Sequence, residues 1–284
     1  MTHKEELKQT LTKHGFHFSK AMGQNFLIDP SVPRAIAERA GLDKDTGVLE
    51  IGPGVGVLTR ELAQRAGGVT AVELDRRLLP ILSEVLYGLP NVHILQGDIL
   101  KMDLAALLQE HMPGLRHTVC ANLPYNITTP LLTRLYESHL FDSVTVMVQR
   151  EVAQRMTARA GTPEYGAFTV LTAYYAEAEV LFDVPPGCFM PPPKVTSSVI
   201  RLDLRKAPPA GITNPALFFR VVRGAFAQRR KTLVNALSAA FGGPEREKIR
   251  MAVLSCGFDE KVRGEALDLE DFAALTRAIE EVLL

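Results

Sequence analysis

Glu50-Ile51-Gly52-Pro53-Gly54-Val55-Gly56 follows directly on the apolar run Val48-Leu49-Glu50-Ile51 and opens a stretch with helical spacing over 57 to 66. Glycines at a strand-to-helix turn let the main chain approach a ligand closely, so this segment predicts a nucleotide-type pocket at the carboxyl end of a parallel sheet. The dinucleotide fingerprint G-x-G-x-x-G needs its third glycine at position 57, where the chain has Val57, which weakens a pyrophosphate as the expected ligand. No G-x-x-x-x-G-K-[ST] occurs either, which disfavours a P-loop.

Outward from this turn the same alternation continues. Val69 to Glu73, Val92 to Leu95, Thr118 to Asn122 and Ser143 to Val148 are short apolar runs, and helical candidates lie at 76 to 87, 103 to 111 and 129 to 138. Near-continuous apolar strands separated by amphipathic helices predict an α/β, doubly wound, mostly parallel sheet buried on both faces. After a helix near 149 to 160, Ala167 to Phe182 and Val195 to Leu204 are β-rich, and they are expected to pair as an antiparallel hairpin at the sheet edge. Lys206-Ala207-Pro208-Pro209-Ala210-Gly211 breaks regular structure. Beyond it only helices are expected, with Asn214-Pro215 as N-cap and first turn and Gly242-Gly243-Pro244 as a stop and restart. The expected division is an α/β domain over 1–205, with an amino-terminal arm over 1–30, and a small all-helical domain over 212–284.

The chain has 284 residues, 46% hydrophobic and 23% charged, which suits a folded globular protein rather than a disordered or fibrous one. Lys plus Arg equals Asp plus Glu, 32 − 32 = 0, so a uniformly basic nucleic-acid coat is excluded. The zero hides opposite patches. Arg220, Arg223, Arg229, Arg230 and Lys231 fall within twelve residues that contain no acid, whereas 259 to 284 carries eight acids against three bases, 3 − 8 = −5. Neither a signal peptide nor a membrane span is recognisable, and a soluble cytoplasmic protein is expected. Cys120, Cys188 and Cys256 are odd in number and outside any C-x-x-C pattern, so reduced thiols are expected and no disulfide framework or zinc site. His14, His17 and His93 have no ligand spacing, and no metal is expected.

Glu73 closes the second strand, where a carboxylate accepts both hydroxyls of a ribose. Asp98 follows the third strand in Gly97-Asp98-Ile99-Leu100 and is placed to accept from an adenine amine. With the glycine turn of Gly52 and Gly54 beside an amino-acid tail, these strand ends describe a pocket for an adenosine without phosphates, S-adenosylmethionine. The fourth strand ends in Asn122-Leu123-Pro124-Tyr125. An exocyclic amine on adenine is a poor nucleophile because its lone pair is delocalised into the ring. The Asn122 side-chain oxygen and the carbonyl of Leu123 or Pro124 can hold its hydrogens while Tyr125 stacks on the base, which is catalysis by positioning and electrostatic preorganisation.

These motifs, in order, resemble the ribosomal RNA adenine N6,N6-dimethyltransferases of the bacterial KsgA/RsmA type, a family related to the Erm methyltransferases and the mitochondrial transcription factor B proteins. The resemblance runs from Gly23-Gln24-Asn25-Phe26-Leu27 through Glu50 to Gly56, Glu73, Gly97-Asp98, Asn122 to Tyr125 and Phe189-Met190-Pro191-Pro192-Pro193-Lys194-Val195 to Phe226-Ala227-Gln228-Arg229-Arg230-Lys231. It implies a class I S-adenosylmethionine-dependent methyltransferase domain, Rossmann-like with seven strands, and a helical carboxyl-terminal domain that binds RNA. It places Gln24, Asn25 and Leu27 over the cofactor, with Gly52, Gly54, Glu73, Asp98 and Asn122 completing that site. It also puts Tyr125 and Phe189 on the two sides of the target adenine. Next to an adenine-reading pocket, the acid-free run of Arg220, Arg223, Arg229, Arg230 and Lys231 is expected to contact RNA phosphates. The implied reaction is dimethylation of two adjacent adenines in the 3′-terminal hairpin loop of 16S rRNA, within an immature small ribosomal subunit, by a monomer. An Erm-type methylase of 23S rRNA, a non-catalytic assembly or transcription factor and, more distantly, a Rossmann oxidoreductase are the competing readings.

Overall fold

The computed structural model describes residues 3–19, 24–124, 127–209 and 211–283. It divides into two compact units, residues 1–153 with 179–204, and residues 154–178 with 205–284.

The first unit holds a seven-stranded sheet. β1 (Phe26–Leu27) stands apart from it, and β2 (Thr46–Ile51), β3 (Gly68–Glu73), β4 (Val92–Gln96), β5 (Arg116–Asn122) and β6 (Ser143–Gln149) run parallel within it. With β7 (Ala176–Val184), β8 (Phe189–Met190) and β9 (Ser197–Leu204) counted in chain order, the sheet order is β4-β3-β2-β5-β6-β9-β7. Every residue of β2 and β3 is buried, as continuous apolar runs in a doubly covered sheet require, whereas β4 at the edge alternates. The chain steps outward from β2 to β4 and then returns to the other side of β2 as β5, which creates a switch point where ligands bind in such sheets.

Around the sheet lie α1 (His3–Lys13), α2 (Ser31–Arg39), α3 (Val57–Arg65), α4 (Leu79–Val85), α5 (Leu104–His111), α6 (Thr128–Ser138) and α7 (Arg150–Met156). The described residues 3–19 of the amino-terminal arm pack more closely than their polar sequence suggests. Leu7 and Leu11, four apart on α1, are buried with Phe16 against Phe26, Val55 and Leu82, and Lys13 and His14 meet the Glu84 carboxylate at 2.7 and 2.8 Å. β1 pairs antiparallel with β8, Leu27 opposite Phe189.

The expected edge hairpin is present, with β9 antiparallel to β6 and next to β7 at the sheet edge, but its first arm is shorter than expected, because residues 167–175 form helix α8 (Ala167–Tyr175) rather than strand. The β-branched and aromatic residues of α8 are overridden by packing. The Gly166 N–H donates to the Thr169 hydroxyl at 3.1 Å, and Val170 and Tyr174, one helical turn apart, are buried in the second unit, the Tyr174 ring stacked 5.5 Å from Phe218. The same packing explains the difference from the expected division at 205, because 154–178 joins the helical unit instead of the α/β domain.

That unit continues with α9 (Pro215–Ala227), α10 (Leu233–Phe241), α11 (Arg246–Ser255) and α12 (Leu269–Leu283). The Asn214 side chain accepts from the Leu217 N–H at 3.1 Å with Pro215 in the first turn, and Gly242 at φ 97° ends α10, as the sequence implied. Among the described residues no helix is long and apolar enough to cross a membrane.

Candidate active site

The carboxyl ends of β2, β3, β4 and β5 face one cavity, lined among others by Gly52, Gly54, Glu73, Asp98, Asn122 and Pro124. The turn after β2 is built by backbone geometry that side chains would disturb. Gly52 has φ 68°, and a Cβ on it would meet nothing nearer than Pro124 Cδ at 3.9 Å, so its open face belongs to the cavity. Gly54 has φ 60°, and a Cβ there would come within 3.1 Å of the Phe26 ring.

Glu73, buried at the end of β3, accepts from the Gly54 N–H at 3.1 Å and the Asp75 N–H at 2.8 Å. Burial pushes its carboxyl up, against the pull of those two amides. Each oxygen keeps acceptor capacity, which is what a pair of ribose hydroxyls needs. Asp75 fixes the arm over this site: Arg77 Nη2 donates to it at 2.6 Å and Gln24 Nε2 at 2.9 Å, and the Arg77 bond first, helped by Gln24, holds its carboxyl down to about 2. Gln24 lines the cavity, and its own oxygen accepts from the Ser19 N–H at 3.0 Å. Asn122 Nδ2 donates to the Asn25 carbonyl at 3.3 Å, which ties the end of β5 to the arm and leaves the Asn122 oxygen for another partner.

The two carbonyls expected to act with Asn122 are not equivalent. That of Pro124 already accepts from the Ile127 N–H at 3.2 Å and the Thr128 hydroxyl at 3.3 Å, which uses both lone pairs, so the Leu123 carbonyl is the better acceptor for an incoming amine. Asp98 accepts from the Leu100 N–H at 3.1 Å and lies 3.4 Å from Lys101 Nζ, with its carboxylate at the cavity wall. Asn25 and Leu27 also line the cavity. Tyr125 lies outside the described residues. Phe189 does not line the cavity: opposite Leu27 in the β1-β8 pair, it is 2% exposed within an apolar cluster, so it braces the strand that carries Leu27 instead of offering a face to a base.

One lining residue was not proposed from the sequence. Glu50 on β2 is buried with its Oε2 lacking any hydrogen-bond partner among the described residues. Burial pushes its carboxyl up to about 8, reinforced by the Glu73 charge and opposed by the nearby Thr59 hydroxyl. The signal was available, since an acid inside an otherwise apolar strand next to a glycine turn is anomalous.

In the helical unit the five basic residues divide. Arg220 lies over the Phe241 ring at 4.1 Å, and Arg229 donates to the carbonyls of Pro163 and Tyr165 at 3.1 and 2.9 Å and sits 3.6 Å from Glu265. Arg223, Arg230 and Lys231 are exposed and make no ion pair among the described residues.

The family model described as ribosomal RNA adenine dimethylase matches residues 15–277. Ribosomal RNA small subunit methyltransferase A of Geobacillus thermodenitrificans is 46% identical over 276 residues, 96% of this chain and 94% of that protein. The protein of that name from Alkaliphilus oremlandii is 42% identical over 280 residues, 98% of each. Among solved structures, a dimethyladenosine transferase from Plasmodium falciparum matches with a TM-score of 0.77 at 26% identity, covering 90% of this chain and 98% of that one. The 23S rRNA methyltransferase ErmE matches with a TM-score of 0.69 at 30% identity, covering 90% and 100%.

Proposed function

The chain belongs to the ribosomal RNA adenine dimethylase family, and from that premise we propose that it dimethylates the N6 amines of two adjacent adenines in the 3′-terminal hairpin loop of 16S rRNA, acting as a cytoplasmic monomer on the immature small subunit. The observation that carries the reading is the convergence of Glu73, Asp98 and Asn122, from the ends of β3, β4 and β5, with the glycine turn of β2 between them, around one cavity. S-adenosylmethionine, when bound, supplies an electrophilic methyl group. The residues present fit it: the open face of Gly52 admits a close ligand, Glu73 keeps acceptors for ribose hydroxyls, Asp98 for an adenine amine, and the buried unpartnered oxygen of Glu50 suits a cationic amino-acid tail.

At the target amine, Asn122 Oδ1 and the Leu123 carbonyl accept the two N6 hydrogens, which draws the nitrogen toward a tetrahedral geometry with its lone pair free to attack. Tyr125 supplies the stacking surface that offsets the cost of taking the base out of its helix, a few kcal/mol against about 1 to 3 kcal/mol of stacking. The exposed cations Arg223, Arg230 and Lys231 neutralise phosphates and bring the loop in.

Mass mapping of methylated adenines in both ribosomal RNAs, with and without the protein, tests the reading. Two adjacent dimethyladenines near the 3′ end of the small-subunit RNA are expected to depend on the protein. Dependence of a large-subunit adenine instead would assign it to the Erm-type reaction, and no dependence in either RNA would remove the enzymatic reading.

A further inference from the structure

Asp98 sits in a loop, residues 97–103, that is short of regular support. The Lys101 and Met102 N–H groups both donate back to the Asp98 carbonyl, at 2.8 and 3.2 Å, and neither bond uses the loop's own carbonyls at Leu100 and Met102. Arg134, six residues into α6, takes up both. Its Nη1 donates to the Leu100 carbonyl and its Nη2 to the Met102 carbonyl. The side chain is half-buried and makes no ion pair among the described residues, so its charge is committed to two backbone oxygens of one loop. A guanidinium is the one side chain that can donate in a fixed planar fork to two such acceptors.

The position of α6 gives this contact its meaning. That helix follows directly on the segment 122–127, of which Asn122, Leu123, Pro124 and Ile127 line the same cavity as Gly97, Asp98 and Ile99. Arg134 thus spans from the helix behind the target-base segment to the loop that carries the acid for the cofactor's adenine. A structural arginine would serve as well from an ion pair on the surface. One that grips the carbonyls two and four residues beyond Asp98, in the turn whose N–H groups bond back to the Asp98 carbonyl, fixes where that carboxylate stands.

We infer that Arg134 is a positioning residue for cofactor recognition, holding the Asp98 loop so that the carboxylate accepts from the 6-amino group of adenine and discriminates it from a 6-oxo purine. The inference rests on the proposed role of Asp98, and the test separates the two. Full-length wild type, Arg134→Met, Arg134→Lys and Asp98→Asn are titrated calorimetrically with S-adenosylhomocysteine and with S-inosylhomocysteine, whose purine carries a 6-oxo group. Wild type is expected to prefer the adenine compound, and Asp98→Asn to lose that preference. Arg134→Met is expected to cut the preference about tenfold by weakening the adenine compound, because a site that has lost its aligned acceptor no longer rewards the amine. Arg134→Lys is expected to fall between the two, and it supplies the reading if the methionine variant does not fold. In methyl transfer to small-subunit particles, the Arg134 variants raise KM for the cofactor with kcat within about twofold. An Arg134 variant that binds both compounds more weakly by the same factor, while Asp98→Asn loses the preference, overturns the inference and leaves the Asp98 role standing. A preference unchanged in Asp98→Asn removes the Asp98 role and the inference together.

Discussion

Around the pocket the charged groups are turned inward and fixed, whereas on the helical unit the informative ones stand in solvent with nothing to hold them. Glu73 is bound by two main-chain amides and Asp75 by Arg77 and Gln24, so each acid of the β3 end has one orientation. Arg223, Arg230 and Lys231 have neither ion pair nor burial. A small ligand with fixed hydroxyls and amines needs acceptors aligned within a few tenths of an ångström, while a flexible polyanion needs only charge within reach. Affinity for the cofactor should therefore respond steeply to single atoms, and affinity for RNA gradually to summed charge.

The sharpest break in that comparison comes at Asn122. Its Nδ2 is bonded to the Asn25 carbonyl, so Asn122→Ala removes both a tie to the arm and the free oxygen proposed for the target amine. Loss of one preorganised acceptor predicts a fall in single-turnover methyl transfer of about 10² to 10³. Tritium transfer from labelled cofactor into small subunits measures it, with binding of S-adenosylhomocysteine expected to change by less than about tenfold. Undiminished transfer would remove Asn122 from the chemistry.

Glu50 supplies the next largest effect, and one that depends on pH. In the folded protein its carboxyl stays protonated up to about 8, but in the unfolded chain it ionises near 4.5. Between those values the unfolded state binds fewer protons than the folded one, so this residue makes the ligand-free protein lose stability as pH rises, by at most about 1.4 kcal/mol per pH unit. Glu50→Gln removes the proton while keeping the shape. The variant should therefore gain on wild type by about 2 to 3 kcal/mol between pH 6 and pH 8 in urea unfolding. Parallel stability curves over that range would mean that Glu50 is charged in the folded state. The same substitution should weaken cofactor binding, the usual cost of replacing a strained functional group with a stable one.

What the sequence disclosed follows the same contrast. The parallel sheet was legible because β2 and β3 are buried along their whole length and so are mostly apolar, and the strand-end residues Gly52, Glu73, Asp98 and Asn122 were legible because fold topology brings successive strand ends together. Elements decided by distant packing were hidden. Ala167 to Tyr175 carries β-forming residues and is a helix because Val170 and Tyr174 are buried against residues some fifty positions later, such as Phe218. Phe189 stands in a motif that suggests a base partner, yet its register opposite Leu27 turns the ring into the core. Nor could the spacing of Arg134 from Leu100 and Met102 disclose that it grips their carbonyls.

The basic strip shows how structure divides residues that sequence treats alike. Five cations in twelve residues look equivalent, but Arg229 holds two carbonyls and faces Glu265, and Arg220 lies over Phe241, so these two act first on the fold. Only Arg223, Arg230 and Lys231 are free to follow a phosphate backbone. The smallest predicted effect tests this sorting. Arg230→Ala with Lys231→Ala should leave the melting temperature within about 2 °C, because exposed unpaired cations contribute little to stability. The slope of log K for RNA against log salt should become shallower by about 2, since each cation lost releases one fewer counterion. Arg229→Ala should do the reverse, lowering the melting temperature while changing the slope by less than about 1. If the double variant binds with the wild-type slope while Arg229→Ala flattens it, phosphate contact lies with the paired arginine, and the distinction between free and committed cations fails on the side of the molecule where it was expected to matter most.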